Sequence, residues 1–170
     1  SYSLVKMEQV EGAPKFVIPI RVMGPRNFVL FAIWSKNDIE HRYIRGISRC
    51  LDLYRDIFTN EVCVVLGDFN SSKIWDHEHP GEKNHSAVVK KLAGYGLESA
   101  YHTFFQELQG SESRPTYHFH WREDRPYHID YCFLPRAWLG SLMEVTVGTS
   151  ADWGALSDHR PLFVELGGVA

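Results

Sequence analysis

Apolar and polar positions divide this chain into strands and helices. The runs KFVIPIRV (15–22) and NFVLFAIW (27–34) flank the turn signal MGPR and predict two joined strands. Ile39, Tyr43, Ile47, Cys50, Leu51, Tyr54 and Phe58 then recur at helical spacing. That spacing predicts a helix capped by Asn37 or Asp38 and running to about Phe58, with Arg42, Arg45, Arg49 and Arg55 on its solvated face. VCVVL (62–66) follows as a short, wholly apolar run. A helix leading into such a strand predicts an α/β arrangement with a sheet covered on both faces. NHSAVVKKLAGYG (84–96) reads as a second helix, capped near Asn84 or Ser86 and ended by Gly94 or Gly96. TYHFHW (116–121), HIDYCFL (128–134), LMEVTVG (142–148) and RPLFVEL (160–166) read as later strands. Hairpins alternate with helices, so a mixed sheet or two packed sheets is expected.

Composition narrows this picture. The 170 residues contain no repeat and no linker, and predict a single domain. A formal charge of −3, from 18 basic and 21 acidic residues, excludes a protein that coats long duplexes through bulk charge. A local basic groove remains compatible with it. Cys50, Cys63 and Cys132 all lie in apolar segments without close spacing, which predicts reduced core residues rather than disulfides or a thiolate zinc site. The longest apolar run, Phe28–Trp34, is far shorter than the ~20 residues of a membrane helix. With no signal peptide visible, a cytoplasmic location is expected.

Three short stretches carry candidate chemistry. In VVLGDFNSS, Asp68 and Asn70 follow a buried strand, where ligands bind in open α/β sheets. Gly67 permits close backbone approach, and Asp68 and Asn70 offer hard oxygens suited to Mg²⁺ or Mn²⁺. An ordinary Asp/Asn turn is the alternative reading. In ALSDHRPLFVEL, Asp158 and His159 stand together before a strand that Pro161 helps to start. In YHIDYCFL, strand alternation puts His128, Asp130 and Cys132 on one face. Asp130 is then a charge within an apolar strand and requires a partner: a histidine, an arginine or backbone amides.

GDFN, HIDYCF and SDHRPLFVEL, in this order and spacing, resemble the endonuclease/exonuclease/phosphatase superfamily, which includes exonuclease III-like enzymes and DNase I. The resemblance implies a DNase I-like two-sheet α/β sandwich and a divalent-metal-dependent phosphoesterase using Mg²⁺ or Mn²⁺, most simply a nuclease. Asp68 resembles the residue that positions or activates the attacking water, and Asn70 the amide that holds it and the phosphate oxygens. Asp158 resembles a carboxylate of the metal shell, which Asp68 and Asn70 would share. His159 resembles the histidine on the scissile phosphate, and Asp130 its partner. The family's first strand, with its Asn, and its following metal-binding Glu have no match here. The chain therefore resembles the later two-thirds of a family domain, incomplete at its N-terminus. The strand after SDH is then expected to seek partners, by self-association or in a missing N-terminal segment.

Trp34 ends a strand where relatives place His or Tyr against the phosphate. His118, Trp121, Arg122 and Arg125 lie in HFHWREDRP, which can stack on a base and clamp a phosphate, or form a solvated hairpin edge. These five residues are the substrate-binding candidates, for nucleic acid or another phosphate ester. A phosphomonoesterase or lipid-headgroup phosphatase with the same machinery, and a catalytically incomplete phosphate-binding fragment, are the competing expectations. His77, His79 and His85 match no zinc pattern and read as a polar loop. Ser71 and Ser72 lack the context of a nucleophile elbow.

Overall fold

In the computed structural model, which describes residues 1–38, 41–79, 81 and 83–168, the two opening apolar runs form β2 (Val17–Met23) and β3 (Phe28–Trp34). They pair antiparallel, and β1 (Ser3–Lys6) lies outside β2. The apolar run before GDFN becomes β4 (Cys63–Asp68), parallel to β3. β8 (Asp130–Pro135) pairs antiparallel with β4, and β5 (Leu97–Ser99) closes the far edge. The result is a six-stranded mixed sheet in the order β1-β2-β3-β4-β8-β5. Two smaller ladders stand apart from it: β6 (Tyr117–His118) with β7 (Pro126–Tyr127), and β9 (Leu142–Val147) with β10 (Leu162–Leu166).

Alternation along the strands assigns the two faces of the large sheet. Val29, Phe31, Ile33, Val65, Tyr131 and Phe133 face α1 (Ile44–Leu53), α2 (Arg55–Asn60) and α3 (His85–Gly94), and all are buried. Phe31 is the pivot of this layer: Phe58 stacks on it at 4.4 Å and Tyr54 meets it edge-on at 5.2 Å. Burying a ring of this size stabilises by about 1.5–3 kcal/mol. The opposite face presents Leu30, Val64, Cys132 and Leu134 to α4 (Ala100–Phe105) and to the β9–β10 hairpin. The 3₁₀ turn Arg136–Ser141 brings Trp138 against Phe28 on that side, and α5 (Ser150–Trp153) precedes the SDH turn.

Two sequence readings are corrected. The helix expected from Asn37 or Asp38 to Phe58 begins only at Ile44 and is broken at Tyr54. Asn37 bridges back to Arg42, whose Nε donates to its Oδ1 at 2.7 Å, and Tyr43 turns the chain with a φ of 46°. Tyr54 is pinned by the core, its hydroxyl accepting the Val10 N–H at 3.1 Å. Ile39, assigned to the helix's apolar face, lies outside the described residues. The strand expected over 116–121 is also cut short, to Tyr117–His118, because His120 and Trp121 take left-handed φ values of 54° and 58°. Asn84 does cap α3, accepting the Ala87 N–H at 2.9 Å. All three cysteines are free and buried, as expected, and burial pushes the Cys63 and Cys132 thiols up to about 12.

Two buried imidazoles pack against the Tyr131 ring. His128 Nδ1 lies 2.8 Å from the Arg114 carbonyl and His85 Nε2 3.1 Å from Gln109 Oε1, while His128 Nε2 and His85 Nδ1 have no partner among the described residues. Burial lowers both imidazole pKa values, outweighing the hydrogen bonds and nearby acids that raise them. Each residue therefore contributes stability that is complete above the ordinary value of 6.5 and is lost as pH falls through its lowered folded value. The expected result in an NMR titration is that His85 and His128 ring resonances stay in the neutral form below pH 6.5. Free titration at 6.5 would show that burial does not hold them neutral.

Candidate active site

The paired strands β3, β4 and β8 bring three sequence candidates into one row. Trp34 is the register partner of Asp68, and Asp68 is the register partner of Asp130. Directly opposed residues share a face, so all three stand on the face that carries the β9–β10 hairpin. Gly67 makes this row possible. Its φ is 132°, and a Cβ there would lie 2.0 Å from the Ile33 carbonyl oxygen.

Asp68 is held by Asn70 from two directions. The Asn70 N–H donates to Oδ1 at 2.7 Å and its side-chain amide to Oδ2 at 2.7 Å. That amide also donates to the Ser35 carbonyl at 2.9 Å. Asn70 adopts a φ of 44° to do this, in the left-handed region that Asn tolerates better than most residues. Its donors are thereby committed, and its amide oxygen is the group left for a substrate or cation. Burial, and then the charge of Asp130, push the Asp68 carboxyl up to about 7, against the pull of the Asn70 N–H and His159; Asp158 adds to the rise.

Asp130 finds the histidine partner. Its Oδ2 lies 3.0 Å from His159 Nδ1, joining β8 to the SDH turn. Burial alone would lower the His159 pKa, but this hydrogen bond and the charges of Asp130, Asp68 and Asp158 raise it. Replacing Asp130 by Asn is expected to bring it down again. In sign, His159 contributes stability below 6.5 that is lost as pH rises through its raised value. An NMR titration giving the same His159 pKa in both proteins would contradict the pairing.

Thr116 ties the two segments of this pair together, with its side chain on the Asp130 side and its carbonyl on the His159 side. The fully buried Thr116 accepts the N–H groups of Ile129 and Asp130 on its Oγ1, at 3.1 and 3.0 Å. Its carbonyl takes the Arg160 N–H at 2.7 Å, and the Asp158 carbonyl takes the His118 N–H at 2.8 Å. Arg160 is 2% exposed and bonds the Ser157 and His159 carbonyls, Ser150 Oγ and Glu123. Thr116 and Arg160 were not among the sequence candidates. Their signal was weak: Thr116 opens an apparent strand and Arg160 looks like a solvated charge before Pro161. The carboxylate of Asp158 makes no hydrogen bond among the described residues.

The substrate-binding candidates separate. Trp34 is 54% exposed beside Asp68, with Lys36 Nζ 3.1 Å from its ring centroid. Trp121 is 59% exposed, Arg122 pairs with Asp124 at 2.7 Å, and Arg125 is exposed. His118 is instead buried, 3.2 Å from Glu123, so its side chain belongs to the support of the SDH turn and not to a solvent-facing surface. His77 and His79 sit on an exposed turn and His85 is internal, so they do not converge.

No family model and no curated protein matches the sequence. Solved structures do match over nearly the whole chain. NExo from Neisseria, a 3′ phosphatase bound to a product DNA hairpin, aligns with a TM-score of 0.69 at 17% identity, over 98% of this chain and 79% of that one. An AP endonuclease from Archaeoglobus fulgidus aligns at 0.64 with 12% identity, over 95% and 70%. An endonuclease/exonuclease/phosphatase family protein from Leptotrichia buccalis aligns at 0.54 with 13% identity, over 98% and 61%. The fold is that of the endonuclease/exonuclease/phosphatase family. The present chain spans 61–79% of the length of these three structures. Among the described residues no helix is long and apolar enough to cross a membrane.

Proposed function

We propose that this protein hydrolyses a phosphate ester on nucleic acid. The observation that carries this reading is the 3.0 Å Asp130–His159 pair standing on the same sheet face as the Asn70-held Asp68. With no cation bound the Asp68 carboxyl lies at about 7; a bound cation would favour its carboxylate form, which can orient an attacking water and accept its proton. Asp130 favours the charged form of His159 against the burial that opposes it, and the imidazole can donate from Nε2 to a phosphate oxygen. Asn70 keeps Asp68 oriented. Trp34 and Trp121 offer faces on which a base can stack. NExo is described as a 3′ phosphatase and the Archaeoglobus protein as an AP endonuclease, which supports a nucleic-acid ester as the substrate class.

The donor set fits a divalent cation. The Asp158 carboxylate makes no hydrogen bond among the described residues, and Asp68 is pushed up first by burial and then by the charges of Asp130 and Asp158, the part that a cation would relieve. Among the described residues no three His, Cys, Asp or Glu side chains converge on one point. Mg²⁺ is commonly held by one or two carboxylates with waters and substrate phosphates, so Asp158 and Asp68 would suffice. When bound, Mg²⁺ or Mn²⁺ would neutralise charge growing on the phosphate oxygens. The test is release of phosphate from a 3′-phosphorylated DNA duplex, and of nucleotides from an unmodified one, with Mg²⁺ or EDTA. Turnover in Mg²⁺ that Asp158→Ala nearly abolishes is expected. Full activity in EDTA, or an unaffected Asp158→Ala protein, would overturn the metal reading, and no turnover on either substrate would overturn the hydrolase.

A further inference from the structure

β3 and β4 run parallel, so the chain leaves both at the end that carries Trp34 and Asp68. The loop after β3 brings Arg42, Tyr43 and Arg45 to the start of α1. The loop after β4 brings His79 and Lys83 past the 3₁₀ turn Lys73–Glu78 toward α3. Between the two loops lies a cavity of about 210 Å³, lined by Arg42, Tyr43, Ile44, Arg45, His79 and Lys83. Segments 41–45 and 79–83 hold three fixed cations, Arg42, Arg45 and Lys83, against one acid, Glu82. All three cations are exposed. Asn37 takes only the Nε of Arg42, and Arg45 and Lys83 form no ion pair among the described residues. The acids of the 3₁₀ turn are engaged elsewhere: Asp76 accepts the His85 and Ser86 N–H groups at 2.8 and 3.2 Å, and Glu78 lies 3.7 Å from His77. Tyr43 ties the cavity to the site. Its N–H donates to the Lys36 carbonyl at 2.7 Å, and Lys36 Nζ stands over Trp34, the neighbour of Asp68 in the row.

We infer that this cavity holds a backbone phosphate of the substrate strand, separate from the ester at Asp68 and His159, so that the protein favours an oligonucleotide spanning both points over a single nucleotide. The assignment rests on the nucleic-acid reading of the site. Three features select that ligand. Asp68, Asp130 and Asp158 crowd the row with negative charge, and the whole chain carries −3, so attraction for a polyanion has to come from a local cationic patch. Two guanidinium groups lining one hollow match the forked hydrogen bonding of a phosphate. Tyr43 and Ile44 add an apolar wall, which a sugar–phosphate unit can use and a bare inorganic ion cannot. Lys36 continues the positive line between the two points. A strand whose ester lies in the row would pass over Trp34 and Lys36 and set its next phosphates against Arg42, Arg45 and Lys83. Length of substrate on that one side, and not base sequence, is what such a contact reads.

Fluorescence anisotropy in EDTA tests this by binding, without any turnover. The probes are fluorescein-labelled single strands of oligothymidylate, from two to about twelve nucleotides long. Affinity should step up at the length that reaches the cavity. Arg45→Glu and Lys83→Glu, both at exposed positions, should each weaken the longest probe by about tenfold or more. Each should also lower the slope of log affinity against log salt by at least ~0.7, the share of one phosphate contact on a single strand. The loss should shrink as the probe shortens. Arg55→Glu makes the same change of charge beyond the far end of α1 and should leave the length step in place. The inference is overturned if no probe binds, if affinity shows no length step, or if Arg55→Glu weakens binding as much as Arg45→Glu does. It is overturned too if polyglutamate displaces the longest probe as well as unlabelled oligothymidylate does, which would mark a site for acidic polypeptide. A length step that Arg45→Glu removes, in a protein that hydrolyses no strand in Mg²⁺, would overturn the hydrolase and keep the cavity assignment. Turnover in Mg²⁺ without the length step would do the reverse.

Discussion

His159→Ala is expected to cut phosphate-ester hydrolysis by roughly 10²–10⁴-fold, the range that one positioned acid–base group contributes. The loss should fall on turnover more than on substrate affinity, because the imidazole acts on charge that grows as the ester is cleaved. His159→Gln keeps a donor near the same place but cannot carry the positive charge that Asp130 sustains, and should recover only a small part. Steady-state rates on a 3′-phosphorylated duplex, with circular dichroism to establish folding, would measure this. A folded His159→Ala protein with undiminished turnover would remove the histidine from the reaction.

Gly67→Ala is expected to be the most damaging small substitution in the chain. Its φ of 132° is strained for any residue with a side chain, at a cost of about 1–3 kcal/mol. The added methyl would lie 2.0 Å from the Ile33 carbonyl oxygen, which is backbone and cannot rotate away. Overpacking of this kind adds roughly 1–3 kcal/mol. Because Gly67 sits between the β3 and β8 partners Ile33 and Tyr131, relief requires β4 to move, and Asp68 moves with it. Chemical denaturation should show a lower midpoint at an unchanged slope, and the protein that remains folded should turn over slowly. A midpoint within error of the parent would mean that the sheet accommodates the methyl at no cost.

Much of this was legible in the sequence, for physical reasons that differ by residue. Asp130 was readable because a carboxylate in the otherwise apolar HIDYCFL has to be explained; the residues alone left its partner open, the resemblance named His159, and the structure places the two 3.0 Å apart. Asp68 and Asn70 were readable because they follow an apolar run at a strand's carboxyl end. Their hydrogen-bonding geometry was not, since it depends on the left-handed φ of Asn70. The broken helix was hidden because Tyr54 keeps the helical period while its hydroxyl is recruited by Val10. β5 and α4 are too short to show a period at all. His118 misled because alternation within HFHW resembles an exposed hairpin, whereas two left-handed residues end the strand and leave its imidazole inside. Thr116 and Arg160 could not be found from local pattern, since their roles come from contacts between segments far apart in the chain.

The Thr116 joint has a consequence for how this protein can vary. Asp130 and His159 are locked to each other through residues 116–118, and the loop that carries Trp121, Arg122 and Arg125 branches off beyond that lock. Its two stems are closed by the Phe119 N–H donating to the Arg125 carbonyl at 3.1 Å. The loop can thus be exchanged for one of another length or composition while the acid–base pair stays in register. One condition travels with any replacement. Arg160 is buried under the loop and its carboxylate partner, at 3.0 Å, is Glu123, so a graft that omits an acid at that position strands a cation beneath the SDH turn. The 119–125 loop is in this sense interchangeable, with Glu123 as the fixed peg on which each version must hang.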